Sequence, residues 1–210
     1  FPYTTLFRST VRLWDAEAGQ EITTLQGHAD AIRQVKYCPD RDQIVSTSDD
    51  CTVKVWNAGA QREIAGHSQW VTACALASSA RVLATASRDG SIKLWDTRTN
   101  RPRTALAGHD QPINCVAVSP DGATVVSASD DFSLKVWSGR EGDHLRTMRH
   151  HTNSVRWVCF SPNGARVASA SWDNTVCVSD PIKGTLHLTL RGHTDWVNAC
   201  AFSPDGSRIA

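Results

Sequence analysis

The sequence predicts an all-β fold in which one small antiparallel sheet recurs along the chain. Three observations carry this. Gly-His recurs at Gly27-His28, Gly66-His67, Gly108-His109 and Gly192-His193, and His150-His151 fills the same slot, so successive second-position His residues lie 39, 42, 42 and 42 apart. Trp14, Trp56, Trp95 and Trp137 recur 42, 39 and 42 apart, and a fifth slot holds Ser179. The Trp slot follows each of His28, His67, His109 and His151 by 28 residues, so two markers keep one phase. A fixed period of this length is the mark of stacked repeat units, none of which can bury its faces alone.

The elements follow in order within one unit. From His109, Ile113–Val118 reads as a short strand rich in β-branched residues. Ser119-Pro120-Asp121-Gly122 is a turn in which proline presets φ and glycine relieves the end. A second strand covers 123–128, Asp130-Asp131 makes a tight turn, a third strand covers 133–137, and 145–148 is a weaker fourth. The turn recurs as Ser203-Pro204-Asp205-Gly206 and, with Asn, as Ser161-Pro162-Asn163-Gly164. No segment has a sustained helical period. The one short unit is short outside its inner strands: Trp56 to His67 is 11 residues, against 14 from Trp14 to His28 and from Trp95 to His109. A surface connection tolerates such a deletion better than a strand does.

Composition narrows the functional classes. The 210 residues carry 22 Lys+Arg and 21 Asp+Glu, a net charge of +1, which supplies no basic field for sequence-independent phosphate binding. No apolar stretch is long enough to span a membrane. The seven Cys form no CxxC pair and are odd in number, which fits small apolar fillers in a reduced, intracellular protein, cytoplasmic or nuclear, better than zinc ligands or a disulfide framework. Phe1–Ser9, FPYTTLFRS, resembles the in-frame translation of a sequencing-library adapter and is set apart from 10–210 as a non-native stretch. With the chain stopping at Ser207-Arg208-Ile209-Ala210 as a strand begins, the sequence reads as an internal fragment.

Two more positions keep phase. Asp50, Asp89, Asp131 and Asp173 stand six residues before the Trp slot, and Ser46, Thr85, Ser127 and Ser169 stand four before each Asp. With these four markers in register over residues 10–210, the chain resembles the WD40 repeat family. The Trp-Asp signature survives at Trp14-Asp15 and Trp95-Asp96 and becomes Trp56-Asn57 and Trp137-Ser138 elsewhere. The resemblance implies a WD40 β-propeller fragment, an incomplete ring. Its four complete blades cover 28–65, 67–107, 109–149 and 151–191, with partial blades at 10–25 and 193–210. It also implies a hydrogen-bonded tetrad in each blade: His28/Ser46/Asp50/Trp56, His67/Thr85/Asp89/Trp95, His109/Ser127/Asp131/Trp137, and a defective His151/Ser169/Asp173 set with Ser179 at the Trp slot. A buried carboxylate needs donors, an imidazole can donate at one nitrogen and accept at the other, and an indole N–H only donates. Because the His/Ser/Asp set recurs in every unit and includes Trp, it reads as structure and not as a catalytic triad. The dispersed His residues likewise make no metal site. The blade that lacks both Gly and Trp is expected to be the least tightly held.

With the structural positions removed, a candidate binding face remains. In this family the Gly-His loops and tight Asp turns line one rim. Three residues after each His come Ala31, Trp70, Pro112, Ser154 and Trp196; five after come Arg33, Thr72, Asn114, Arg156 and Asn198; before each structural Asp come Asp49, Arg88, Asp130 and Trp172. These positions vary between repeats while their neighbours do not. Trp70, Trp172, Trp196, Arg33, Arg88, Arg156, Asn114 and Asn198 are the candidate partner contacts, since Trp and Arg dominate interface hot spots. Packing between blades is the alternative for the tryptophans, and a solvated rim is the alternative for the arginines. If the arginines act, they favour an acidic peptide, a phosphorylated segment or an RNA backbone.

The resemblance implies a non-enzymatic protein-interaction scaffold of a multidomain protein, with no catalytic residue, cofactor, metal or membrane partner. An RNA-contacting ribonucleoprotein scaffold stands as an alternative, as does the sensor arm of a NACHT- or NB-ARC-type signalling ATPase. The regular 42-residue units also look like the propeller of telomerase- and vault-associated protein component 1. Open blade edges imply self-association of the fragment.

Overall fold

The computed structural model describes residues 9–38, 41–57, 60–77 and 81–210; the stretch 1–9, but for Ser9, falls outside them. A two-stranded sheet comes first, β1 (Thr10–Trp14) with β2 (Glu21–Gln26). Four four-stranded antiparallel sheets follow. The first complete blade holds β3 (Ile32–Cys38), β4 (Gln43–Ser48), β5 (Thr52–Asn57) and β6 (Ala60–Ala65). The second holds β7 (Val71–Ala77), β8 (Val82–Ser87), β9 (Ser91–Asp96) and β10 (Arg101–Ala107). The third holds β11 (Ile113–Val118), β12 (Thr124–Ser129), β13 (Leu134–Ser138) and β14 (His144–Met148). The fourth holds β15 (Val155–Phe160), β16 (Val167–Ser171), β17 (Val176–Ser179) and β18 (Leu186–Leu190). In residues 193–210 only a bridge between Phe202 and Ile209 forms. This is the arc of four complete and two partial blades.

Sequence sets the layering. The second strands, QIVSTS, VLATAS, TVVSAS and VASAS, are buried almost throughout, and their small side chains let a blade lie between two neighbours. The inner strands pack in succession, β3 on β7, β7 on β11 and β11 on β15, around an axial hollow of about 490 Å3 lined by Gln34, Cys74, Cys115, Trp157 and Phe202 among others. Each indole wedges against the preceding sheet. Trp56 packs with Val11, Trp95 with Val53, Val55 and Ile64, and Trp137 with Ile92, Leu94 and Leu106. Trp14, in the two-stranded sheet, is 56% exposed, against 2% for Trp137. Apolar side chains are also exposed at the far end of the arc, at Ile182, Leu186 and Leu188.

The His, hydroxyl and Asp positions meet in each complete blade, and the Trp joins them in the first three. In the third, His109 Nδ1 lies 2.7 Å from Asp131 Oδ2, His109 Nε2 lies 2.7 Å from Ser127 Oγ, and Trp137 Nε1 donates to Ser127 Oγ at 3.0 Å. The first blade repeats this at 2.7, 2.7 and 2.9 Å, and the second at 3.2, 2.9 and 2.9 Å. In the fourth, His151 keeps Asp173 and Ser169 at 2.8 Å each, and no indole is present. Sequence reasoning missed a fifth marker: Ser48, Ser87, Ser129 and Ser171 accept from the amide of each structural Asp and donate to a carbonyl of the His loop. Their spacing carries the same period and could have revealed them.

The residue after each Trp slot has its own task. Asp15, Asp96 and Asp180 each accept two amides of the following turn, and Ser138 does so more weakly. Asp180 thus keeps the signature's acid in the blade that lost its Trp. Short polar side chains cap turns in this way because they reach the backbone two residues on.

The fourth blade departs at the two positions that touch in the third blade. A Cβ added to Gly108 would meet Trp137 Cη2 at 3.1 Å, and one added to Gly66 would meet Trp95 Cη2 at 3.5 Å. At Gly108 a glycine precedes the His because the indole edge lies there, whereas a Cβ on Gly27 would meet the Gln61 side chain. Where Ser179 replaces the indole, His150 replaces the glycine. The His150 ring is half-buried, and its Nε2 and the Ser179 Oγ are buried without a hydrogen-bond partner among the described residues.

The tetrads make the fold acid-sensitive. At Asp50 burial raises the carboxyl pKa, but hydrogen bonds from the Thr52 and His28 side chains and from the Ala29 and Thr52 amides outweigh it and bring it to about 2. At Asp89 burial is likewise outweighed, by Ser91 and by the amides of Ser68 and Ser91, and the value falls to about 2. Asp131 and Asp173 shift in the same direction. A depressed carboxyl stabilises the fold above its unfolded pKa and loses that contribution as pH falls through the folded value. His67 is depressed by burial, so its contribution is lost on acidification below about 6.5. At His151 burial is outweighed by Cys177 and Asp173, the pKa rises, and the sign reverses. Tryptophan fluorescence should therefore report the main unfolding between about pH 4 and about pH 2. A midpoint above about pH 5 would show that the carboxylates are not what fails first.

Candidate interaction face

One backbone bond per blade builds the face. Asp49 N donates to Ala31 O, Arg88 N to Trp70 O, Asp130 N to Pro112 O and Trp172 N to Ser154 O, all at 2.9–3.0 Å. Positions that vary between repeats thereby become neighbours. The inner strands add a second device. Pairing slips between Ile32 and Gln34, Val71 and Ala73, Ile113 and Cys115, and Val155 and Trp157. Arg33, Thr72, Asn114 and Arg156 are the bulged residues, left out of the ladder. A bulge bends its strand and re-aims the extra side chain.

The eight candidate residues fall into two clusters. In the first, Trp70 is flanked by two guanidiniums, Arg33 at 5.2 Å and Arg88 at 5.4 Å from the ring centroid. Arg33 also grips Asp49 with both ends of its fork, Nε donating to Oδ1 at 2.6 Å and Nη2 to Oδ2. In the second, Arg156 lies 4.6 Å over Trp172, which stacks on Trp196 at 4.3 Å with planes 17° apart. Trp172 Nε1 donates to Asn198 Oδ1 at 3.1 Å, and Arg156 Nη1 donates to Asn114 Oδ1 at 2.9 Å. Asp130 receives Asn114 Nδ2 at 2.7 Å and the Ser154 hydroxyl, and lies 3.5 Å from Arg156. The tryptophans therefore pack across blade boundaries and still face solvent, Trp70 at 43% and Trp196 at 56% exposure.

Two of the three arginines spend their charge inside the face, on Asp49 and Asp130. Among the described residues this leaves Arg88 as the one of the three without a carboxylate partner, so the face offers acidic, phosphorylated or RNA partners a single guanidinium and not a cluster. Among the described residues no cluster of three or more His, Cys, Asp or Glu could hold a metal ion. Burial pushes the Cys74 and Cys115 thiols up to about 12, so neither supplies a thiolate at neutral pH. Among the same residues no helix is long and apolar enough to cross a membrane.

Sequence reasoning missed Phe132. It follows the structural Asp131 with φ 69°, and the matching positions are Cys51 at 67°, Gly90 at 79° and Asn174 at 67°. Glycine and asparagine tolerate this left-handed backbone, whereas a bulky aromatic is strained there. Its ring is 45% exposed. An aromatic residue in a slot that elsewhere holds Cys51, Gly90 or Asn174 was the available signal.

The repeats match the family described as "WD domain, G-beta repeat" over residues 19–57, 60–96, 100–138, 142–180 and 184–210. Among curated proteins, the chain is 36% identical over 96 residues to "Nuclear distribution protein nudF" of Aspergillus flavus, covering 43% of this chain and 21% of that protein. It is 35% identical over 115 residues to "Nuclear distribution protein PAC1" of Arthroderma otae, covering 42% of this chain and 25% of that protein. It is 29% identical over 98 residues to "WD repeat and SOCS box-containing protein 1" of Xenopus tropicalis, covering 44% and 23%. The matched segments span only 21–25% of the length of these relatives. In-register repeats, blades and tetrads together lead to one assignment: the chain belongs to the WD40 family, WD domain, G-beta repeat.

Proposed function

We propose that the chain is a non-enzymatic docking platform that presents the rim formed by its Gly-His loops and tight Asp turns to other proteins. The carrying observation is the cross-blade pairing of exposed tryptophans with arginines at bulged and turn positions. Trp70, Trp172 and Trp196 are the energetic centre, with Arg33, Arg88, Arg156, Asn114 and Asn198 holding their orientation. A side chain already fixed by its neighbours loses little freedom on binding, which favours recognition. Relatives named as nuclear distribution proteins and as a SOCS box protein fit a role in which the propeller recruits while other segments act.

The test is quantitative affinity capture with the natural chain and with Trp70→Ala and Trp196→Ala. Each substitution should lower recovery of specific partners at least about tenfold, the loss of one hot spot, while the circular dichroism spectrum stays unchanged. Equal recovery by all three chains with intact folding would remove this face from the function.

A further inference from the structure

We infer that the rim takes an uncharged, apolar peptide segment and that Phe132 is one of its contacts; this rests on the docking role proposed above and names the chemistry of the partner.

Charge argues for the partner class. Arg33 is neutralised by a two-pronged bond to Asp49, and Arg156 sits between Asp130 and the Trp172 ring. What remains presented to solvent is the Trp70 ring with the Arg88 guanidinium against it, and Trp196 at the end of the Arg156–Trp172–Trp196 stack. Among the described residues an acidic ligand would meet one guanidinium of the three without a carboxylate, Arg88 on the Trp70 ring, and to reach the other two would have to displace Asp49 or Asp130. An apolar ligand displaces only water.

Phe132 adds an independent observation. Its backbone is strained for an aromatic, and its ring is exposed where burial would have offset the strain. The equivalent turns close with Cys51, Gly90 and Asn174, so the turn itself does not require an aromatic ring. The topology puts Phe132 on the same rim: it lies in the β12–β13 turn of the third blade, and Trp172 lies in the equivalent β16–β17 turn of the fourth. A Cβ at the matching Gly90 would lie 3.4 Å from the carbonyl of His109 in the following blade, so this slot leans over the next Gly-His loop.

The experiment selects a phage-displayed random peptide library on the whole chain and measures the recovered peptides on Trp70→Ala and Phe132→Asn, the latter borrowing the residue of the fourth blade's turn. The expected peptides are rich in Leu, Ile, Pro and aromatic residues without excess Asp or Glu. Their affinity should change less than about twofold between about 50 and about 500 mM salt. Phe132→Asn should weaken them at least about tenfold while raising Tm by about 2–4 °C, since it relieves strain. Acidic peptides with steep salt dependence, lost on Trp70→Ala, would overturn the apolar class and leave the docking role standing. Peptides indifferent to both substitutions, or no recovered peptides, would overturn both. A Tm lowered by Phe132→Asn would show that the ring packs internally and would overturn its assignment as a contact.

Discussion

Replacing His150 by Gly and Ser179 by Trp together should stabilise the chain by about 2–3 kcal/mol, although each change alone should destabilise it. The double variant restores the pair that Gly108 and Trp137 make. It gains a buried indole against the preceding sheet and a donor for Ser169, whose hydroxyl receives none from an indole in the natural chain. Ser179→Trp alone drives the indole edge into the His150 side chain, an overpacking that costs about 1–3 kcal/mol. His150→Gly alone removes a half-buried ring and leaves the Ser179 hydroxyl beside a void, at a cost of about 1–3 kcal/mol. Backbone strain does not confound the comparison, because neither Gly108 nor His150 has a positive φ. Urea unfolding of the four chains closes a double-mutant cycle with a large favourable coupling. Additive effects, within about 0.5 kcal/mol, would mean that the two positions do not share space.

Asp131→Ala should be the most damaging single change in the third blade, costing about 3–5 kcal/mol. The carboxylate is 7% exposed and accepts four donors: His109 Nδ1 at 2.7 Å, the Asp110 amide at 3.4 Å, the Ser133 amide at 2.9 Å and the Ser133 hydroxyl at 2.6 Å. Alanine leaves those groups without their partner in a site that water does not fill. Asp121→Ala is the control. Its carboxylate takes the Ser119 hydroxyl and the Ala123 amide on an exposed turn, so loss should stay near 1 kcal/mol, as for an ordinary cap. Equal losses at the two sites in chemical denaturation would show that the tetrad adds nothing beyond a turn cap.

The limits of sequence reading follow from distance along the chain. Strand positions, the PDG-type turns and the His, Ser, Asp and Trp markers are legible because each is local or repeats with the period. The pairing of Arg156 with Asn114 joins residues 42 apart on different blades, and no pattern inside one repeat announces it. The same holds for Arg33 over Trp70. His150 and Ser179 read along the chain as two separate departures, and only the apposition of Gly108 with Trp137 in the third blade ties the two positions to one space. The arginines illustrate the opposite error: read singly they suggest anion binding, and only their contacts show two of them already satisfied.

The kink in every inner strand has an evolutionary corollary. Because residues 33, 72, 114 and 156 stand outside the ladder, drift at those letters leaves sheet pairing untouched. Selection can rewrite them one at a time, so duplicated units are free to diverge in what they grip while remaining interchangeable as building stones.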